Sequence, residues 1–252
     1  DLEFFSLIGR LPVGREEAGE PATAPARPDE TQTRYATVTD GAALQALARE
    51  LAASGGFALD TETAPTDPEV KGVHPMRSRL VGLSFATEAG KAWYVPVGHA
   101  EGPQLDLDDA LGALRPVLED QAVPKAAHNA NYDLMVLQNY DIKVQNVTFD
   151  TMLAAHVSGR KAIGLKALTL QCLQEEMTEI KELLGSGRKQ ITMDKVEVKK
   201  AADYATADAD MTHRLISLFE KELEEKDVRS LFDTVEMPLV ERDPDQHRDD
   251  AL

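Results

Sequence analysis

The stretch FALDTETAPTDP, residues 57 to 68, sets two acids, Asp60 and Glu62, at the end of a short apolar run. Strand side chains alternate faces, so Ala58, Asp60 and Glu62 share one side while Phe57, Leu59 and Thr61 take the other. The two carboxylates then project together, roughly 7 Å apart along the strand. Taken alone, the pair fits the wet face of an edge strand as well as it fits a site. Other carboxylates in the chain have to decide.

The helical pattern AADYATADADMTHRLISLF, residues 201 to 219, supplies the first of them. Its apolar stripe runs through Tyr204, Ala205, Met211, Thr212, Leu215, Leu218 and Phe219, and Asp208 falls inside that stripe. An ionised carboxylate facing a core costs several kcal/mol unless a cation or dedicated donors meet it. Asp203 and Asp210 fall on the polar side with His213 and Ser217 and are expected to be solvated. In HNANYDLMVL, Asp133 lies one helical turn beyond Asn129, just past the apolar strand VPKAA. That is the carboxyl end of a strand, where α/β sheets tend to place functional groups. An ordinary first-turn acid complementing a helix dipole is the alternative for Asp133.

Four acids with no histidine or cysteine cluster suit hard divalent cations such as Mg²⁺ or Mn²⁺ and are a poor match for zinc. Two such ions about 3.5 to 4 Å apart can activate a water and steady the leaving oxygen of a phosphodiester. Tyr204, one turn before Asp208 on the same face, is placed to hydrogen-bond that water.

Composition bounds the rest. The chain has 252 residues, 42% of them hydrophobic, enough for one large domain with a true core. Its 27 basic and 44 acidic side chains leave a net charge of −17, which argues against passive binding to a polyanion. A nucleic-acid substrate therefore requires a local basic surface or a bound cation. The single cysteine, Cys172, sits in the helical run LKALTLQCL, which suggests a buried apolar thiol in a reducing compartment. No apolar stretch approaches the ~18 residues of a bilayer span, and no signal-peptide pattern is present. A cytoplasmic protein with no membrane partner is the expectation. The chain begins at Asp1 rather than Met and reads as a piece of a longer one.

Along the chain, DLEFFSLIGRLP has helix-like spacing and VGREEAGEPATAPARPDETQ reads as a flexible linker, so residues 1–34 form a connector segment. GAALQALARELAA, 41 to 53, is a helix stopped by Ser54, Gly55 and Gly56. FALDTET, RLVGLSFAT (79 to 87) and KAWYVPVG (91 to 98) read as an antiparallel meander, with TEAG as the turn between the last two. LDDALGALRPVLED (107 to 120) is helical, VPKAAHN a short strand, and NYDLMVLQNYD another helix. Beyond residue 150 the convincing segments, FDTMLAAHVS, GLKALTLQCLQ and the run from 198 to about 226, are helical. The pattern predicts an α/β domain with a mixed sheet over residues 35–240. The charged tail 241–252, ERDPDQHRDDAL, is expected to be disordered.

These residues also match a family. DTET with Asp60 and Glu62, NANYD with Asp133, and YATAD with Tyr204 and Asp208 resemble, in order, the three motifs of the DEDDy class of 3′–5′ exonucleases. The resemblance is closer still to the proofreading domain of bacterial family A DNA polymerases, the DNA polymerase I type. LVGLSFATEAGKAWYVPVGH follows the first motif, FDTMLAAHV the second, and LFDTVEMPLV comes last. DLEFFSLIGRLP resembles the segment that joins the preceding domain in such polymerases. The resemblance implies an RNase H-like (DnaQ-like exonuclease) fold, a mixed sheet flanked by helices. It implies two divalent metal ions, Mg²⁺ or Mn²⁺, held by Asp60, Glu62, Asp133 and Asp208, with Tyr204 positioning the nucleophilic water. It implies release of nucleoside 5′-monophosphates from a single-stranded DNA 3′ end. By motif position Asn129 and Tyr132 resemble residues near the terminal nucleotide; a helix cap and a core aromatic are their other readings.

Two departures stand beside it. The chain runs from EMPLV into the charged tail, so no polymerase activity follows and any polymerase domains lie outside it. The Pro-rich TAPTDPEVKGVHP stands where a substrate-contacting apolar residue is expected. GSGRKQITMDKVEVKK supplies Arg188, Lys189, Lys195, Lys199 and Lys200 as candidate contacts to the strand, with a solvated basic loop as the alternative. RNA trimming of the RNase D type shares the chemistry, and a catalytically silent structural module of a polymerase shares the fold. Retention of all four acids and the tyrosine favours an active exonuclease.

Overall fold

The structure, a computed structural model, describes residues 33–67 and 74–240. Residues 1–32 of the expected connector 1–34, the centre of the Pro-rich stretch after the first motif, and the charged tail lie outside the described residues.

A six-stranded mixed sheet organises the domain. In chain order the elements that build it are β1 (Arg34–Thr37), α1 (Gly41–Ala53), β2 (Phe57–Pro65), β3 (Ser78–Glu88), β4 (Lys91–Pro96), α2 (Leu107–Leu118), β5 (Lys125–Ala127), α3 (Ala130–Gln138) and β6 (Val147–Asp150). The helices α4 (Thr151–Val157), α5 (Leu165–Leu173), α6 (Ile180–Leu184) and α7 (Val198–Glu225) follow, and a helical run over residues 229–240 closes the described chain. The spatial order of the strands is β1-β4-β3-β2-β5-β6. The meander β2-β3-β4 is antiparallel, as the sequence predicts, while β1 joins β4 and β5 and β6 extend from β2 in parallel.

Local chemistry sets the boundaries. Asp40 caps α1 by accepting from the Ala43 N–H at 2.9 Å, and the helix stops at Ser54 before Gly56 at φ 142°. The turn between β3 and β4 uses Gly90 at φ 75°, a conformation that glycine adopts without a Cβ clash.

The strand faces are sharply different. Phe57, Leu59, Leu83, Phe85 and Val95 point into the main core with α1, α2, α3 and the end of α7. The opposite face is lined by small residues: Ala58, Ala86 and Ala92 pack against Ala209 of α7. Interaxial distance follows side-chain size at the contact. This run of alanines lets α7 lie close across β2, β3 and β4, and that close approach carries Asp208 toward the acids of β2.

Three expectations are corrected. β1 is an edge strand that the sequence did not announce: only four residues long, its pattern RYAT is too short to show a period. Phe149 and Asp150 finish β6 rather than start a helix, and α4 begins at Thr151 because Asp150 is its N-cap. Asp210 is not solvated but fully buried, accepting from the Tyr35 hydroxyl at 2.7 Å and the Gly90 N–H at 2.8 Å. The helical period put it on the side of α7 that faces water in an isolated helix, and the β1 edge and the β3–β4 turn cover that side. Cys172 is half-buried against the main core, with burial pushing its thiol pKa up.

Candidate active site

β2 brings in the first two acids. Asp60 lies opposite Ser84 and Glu62 opposite Gly82 on β3, and the alternation of the strand turns both toward α7. Gly82 is required there: a Cβ on it would sit 2.2 Å from the Tyr94 hydroxyl oxygen, which crosses beside Glu62. Tyr94 is in turn fixed by a 2.8 Å hydrogen bond between its hydroxyl and His99 Nε2.

α3 supplies Asp133. It is 2% exposed, and its carboxylate accepts from the Thr61 N–H at 2.9 Å and the Thr61 hydroxyl at 2.6 Å. Asp133 stands in the first turn of α3, where it also complements the helix dipole, and is a buried acid tied to β2. α7 supplies Asp208, whose carboxylate takes an ion pair from Lys166 of α5, with the Tyr204 phenol one turn earlier close enough to influence its charge. The Lys166 ammonium also stands 4.2 Å from the centre of the Tyr204 ring, within cation–π range.

The four acids feel one another. Burial is the main cause that holds Asp60 well above the usual carboxylate range, and the charges of Asp133, Glu62 and Asp208 add to it. Glu62 is raised by burial and then by Asp208, with Lys166 pulling the other way. Asp133 is pushed up to about 7 by burial, against the two Thr61 hydrogen bonds. Asp208 is raised by burial and lowered by Lys166 and Tyr204. Burial also raises the Tyr204 phenol, followed by Asp208, Glu62 and Asp60, so it remains a neutral O–H at physiological pH.

Among the described residues, no three His, Cys, Asp or Glu side chains converge tightly enough to form a closed metal-holding group. Like charges repel, and three of the four acids have taken individual partners: Asp208 has Lys166, Asp133 has Thr61, and Asp60 has the Ser84 hydroxyl at 3.5 Å. The donor set itself is all carboxylate oxygen, the chemistry that hard divalent cations take. Burial is the main cause of its raised proton affinities, and the charges of neighbouring acids add to it at Asp60 and Glu62.

The remaining candidates are less central. Asn129 occupies the N-cap position of α3 in the left-handed region, φ 69°, but its side chain makes no capping hydrogen bond. Tyr132 is half-buried, and its hydroxyl meets the Thr63 hydroxyl at 2.6 Å and Ser78 Oγ at 3.4 Å, beside the end of β2. Arg188 and Lys189 form a short turn after α6, and Lys189 is exposed, as are Lys195, Lys199 and Lys200. α6 reaches the site from another side, because Ile180, Leu183 and Leu184 pack on the cluster that includes Tyr204. Sequence reasoning missed Lys166: GLKAL carries no local signal of a charge meeting Asp208, which lies 42 positions away.

A mixed sheet of this order, with clustered acids on β2, α3 and α7, is the RNase H-like arrangement used by nucleases. A profile described as 3′–5′ exonuclease, of the DNA polymerase A type, matches residues 35–224. DNA polymerase I of Chloroflexus aurantiacus is 38% identical over 227 residues, which cover 89% of this chain and 23% of that protein. Escherichia coli RNase D shares the fold at a TM-score of 0.61 and 18% identity, over 83% of this chain and 50% of its own. Brucella melitensis NrnC with bound Mg²⁺ does so at 0.56 and 19%, over 81% and 87%. The chain belongs to the 3′–5′ exonuclease domain family of DNA polymerase I, and it spans about a quarter of the length of the curated relatives it matches. It is a hydrolase of the 3′–5′ exonuclease type.

Proposed function

We propose that this domain removes nucleotides from a single-stranded DNA 3′ end and releases nucleoside 5′-monophosphates. The observation that carries the reading is the placement of four acids from three elements within electrostatic reach of one another, all with raised proton affinity and with Lys166 paired to Asp208. Asp60, Glu62, Asp133 and Asp208 would hold two divalent ions, Mg²⁺ or Mn²⁺. When bound, such ions supply charge neutralisation for the phosphodiester and a nucleophilic water at neutral pH.

The protein's own groups do the rest. Tyr204, kept neutral by burial and anchored through Asp208, orients the water by hydrogen bonding. Lys166 offers an ammonium beside the same tyrosine and offsets the charge of the phosphate. Thr61 holds Asp133 in the orientation that faces β2. Asn129, Tyr132, Arg188 and Lys189 border the strand of DNA, the last two as backbone-phosphate contacts. In this reading residues 35–240 are the exonuclease domain, 1–34 a connector and 241–252 a charged tail. The domain works in the cytoplasm, joined to polymerase domains of the kind its relatives carry. Those relatives are named as DNA polymerases, which favours DNA over RNA as the substrate.

The test is a 3′-labelled oligonucleotide assay with Mg²⁺ or Mn²⁺, run in parallel on single-stranded DNA and RNA. Stepwise shortening of the DNA, abolished by Asp60→Ala and by Asp208→Ala, is expected. Activity that persists in a folded Asp60→Ala/Glu62→Ala double variant would sink the proposal, and preferential trimming of RNA would replace the substrate.

A further inference from the structure

Asp150 ends β6 between the N-termini of two helices, and its carboxylate serves both. Oδ1 accepts from the N–H groups of Met152 at 2.8 Å and Leu153 at 3.1 Å, which caps α4. The same oxygen accepts from the Asn129 N–H at 3.2 Å, and Oδ2 accepts from the Ala130 N–H at 2.7 Å. The residue is 2% exposed, so these four donors carry the whole task of satisfying it. Burial raises its pKa, and the four backbone hydrogen bonds lower it in opposition.

The α4 cap alone would need only one oxygen. A serine, threonine or asparagine at this position caps a helix about as well as aspartate does. The second pair of bonds goes to the backbone that starts α3, where Asn129 stands in the left-handed region and its own side chain caps nothing. Three residues beyond Ala130, the same first turn carries Asp133. Asp133 is therefore clamped twice: its carboxylate is held from β2 by Thr61, and its helix is held from β6 by Asp150.

We propose that Asp150 is a positioning residue, acting through the first turn of α3 to hold Asp133 where it meets the acids of β2. It touches neither substrate nor metal. The inference rests on the reading of Asp60, Glu62, Asp133 and Asp208 as a divalent-cation site, and its test separates the two.

Asp150→Ser keeps a cap for α4 while its single short oxygen no longer spans to both Asn129 and Ala130. Asp150→Asn keeps the oxygen that accepts from Asn129, Met152 and Leu153 but sets an amide NH2, itself a donor, against the Ala130 N–H. Mn²⁺ binding without DNA is measured by titration on the wild-type chain, these two variants and Asp133→Ala, with folding checked by circular dichroism. The expected result is unchanged helical content and a thermal midpoint near wild type for Asp150→Ser. Its Mn²⁺ affinity is expected to fall ~10-fold or more, the range seen when groups that orient metal ligands are lost. Asp150→Asn should lie between that variant and wild type.

Wild-type Mn²⁺ affinity in folded Asp150→Ser overturns the inference. Should that variant not fold, wild-type affinity in Asp150→Asn overturns it equally. If the wild-type chain itself binds no Mn²⁺, or Asp133→Ala binds it unchanged, the site reading fails and the inference falls with it.

Discussion

Thr61 donates twice to one carboxylate: its backbone N–H lies 2.9 Å and its hydroxyl 2.6 Å from Asp133 Oδ1. A residue on the opposite strand face from Asp60 and Glu62 thus links β2 to α3, the two elements that carry three of the four acids. Thr61→Val preserves the shape and the backbone bond and deletes only the hydroxyl donor. A hydrogen bond to a charged group contributes ~1.5–3 kcal/mol. Loss of it pushes Asp133, already up to about 7, further upward. The acidic limb of the activity profile should move to higher pH by about 1 unit or more, with activity at pH 7 falling about 5-fold or more. A pH–rate profile of both proteins checks this.

Lys166 and Asp208 make the next testable pair. Their side chains are 20% and 13% exposed, so the ion pair is largely withdrawn from water. Lys166→Met keeps the packing over Tyr204 and removes the charge. Without divalent ions the variant should melt lower, because Asp208 is left facing Asp60 and Glu62 with no cation. Added Mn²⁺ has no ammonium to displace, so the gain in melting temperature on adding it should exceed that of wild type. One kcal/mol corresponds to about 2–4 °C in a domain of this size, so differential scanning fluorimetry with and without Mn²⁺ resolves the effect. Rate should fall as well if the ammonium faces the phosphate.

The pH dependence of stability follows from the same acids. Their folded-state pKa values are raised, so the native state binds protons more tightly than the unfolded chain. Stability from these groups is complete below the unfolded carboxylate range and is lost as pH rises through the folded values, about 7 for Asp133. In chelator the melting temperature should therefore fall between pH 5 and 7.5. Asp133→Asn should flatten that fall, and Mn²⁺ should restore stability at the upper end. A melting temperature that rises over this interval in chelator would contradict the shifts.

What the sequence revealed, and what it hid, follows from range. The pair on FALDTET, the helix stripe holding Asp208 and the meander are local patterns, read from period alone. Local periodicity also located α1, α2, α5 and α7 to within a few residues. It failed where the environment of a residue is set by distant chain. Asp210 reads as the polar face of a helix until β1, 175 positions away in sequence at Tyr35, covers it. Lys166 is an ordinary helical lysine until α7 brings Asp208 against it. Asp150 looks like the start of a helix, and its second set of donors belongs to residues 20 and 21 positions earlier. These three misses concern polar groups whose partners lie on another element, which no periodic pattern encodes, whereas β1 was missed because four residues are too few to show a period.

Asp210 supplies the last prediction. Its carboxylate is 0% exposed and is met by the Tyr35 hydroxyl and the Gly90 N–H, one from the edge strand and one from the β3–β4 turn. Tyr35 is held in its neutral form mainly by burial and then by this bond to Asp210, so the donor persists across the usual pH range. A buried carboxylate that loses one of two donors is left with its desolvation cost, ~1–3 kcal/mol or more for a charged group. Tyr35→Phe should thus destabilise the domain by ~1–3 kcal/mol in urea unfolding. Asp210→Asn should destabilise it too, since the amide reduces the charge that the two donors serve. Because both substitutions act on one bond, the double variant should cost less than their sum, with an interaction energy of ~0.5 kcal/mol or more. Strict additivity would mean that Tyr35 and Asp210 contribute independently. In that case the edge strand would not anchor α7 through this pair, and the placement of Asp208 two residues earlier would rest on the alanine packing alone.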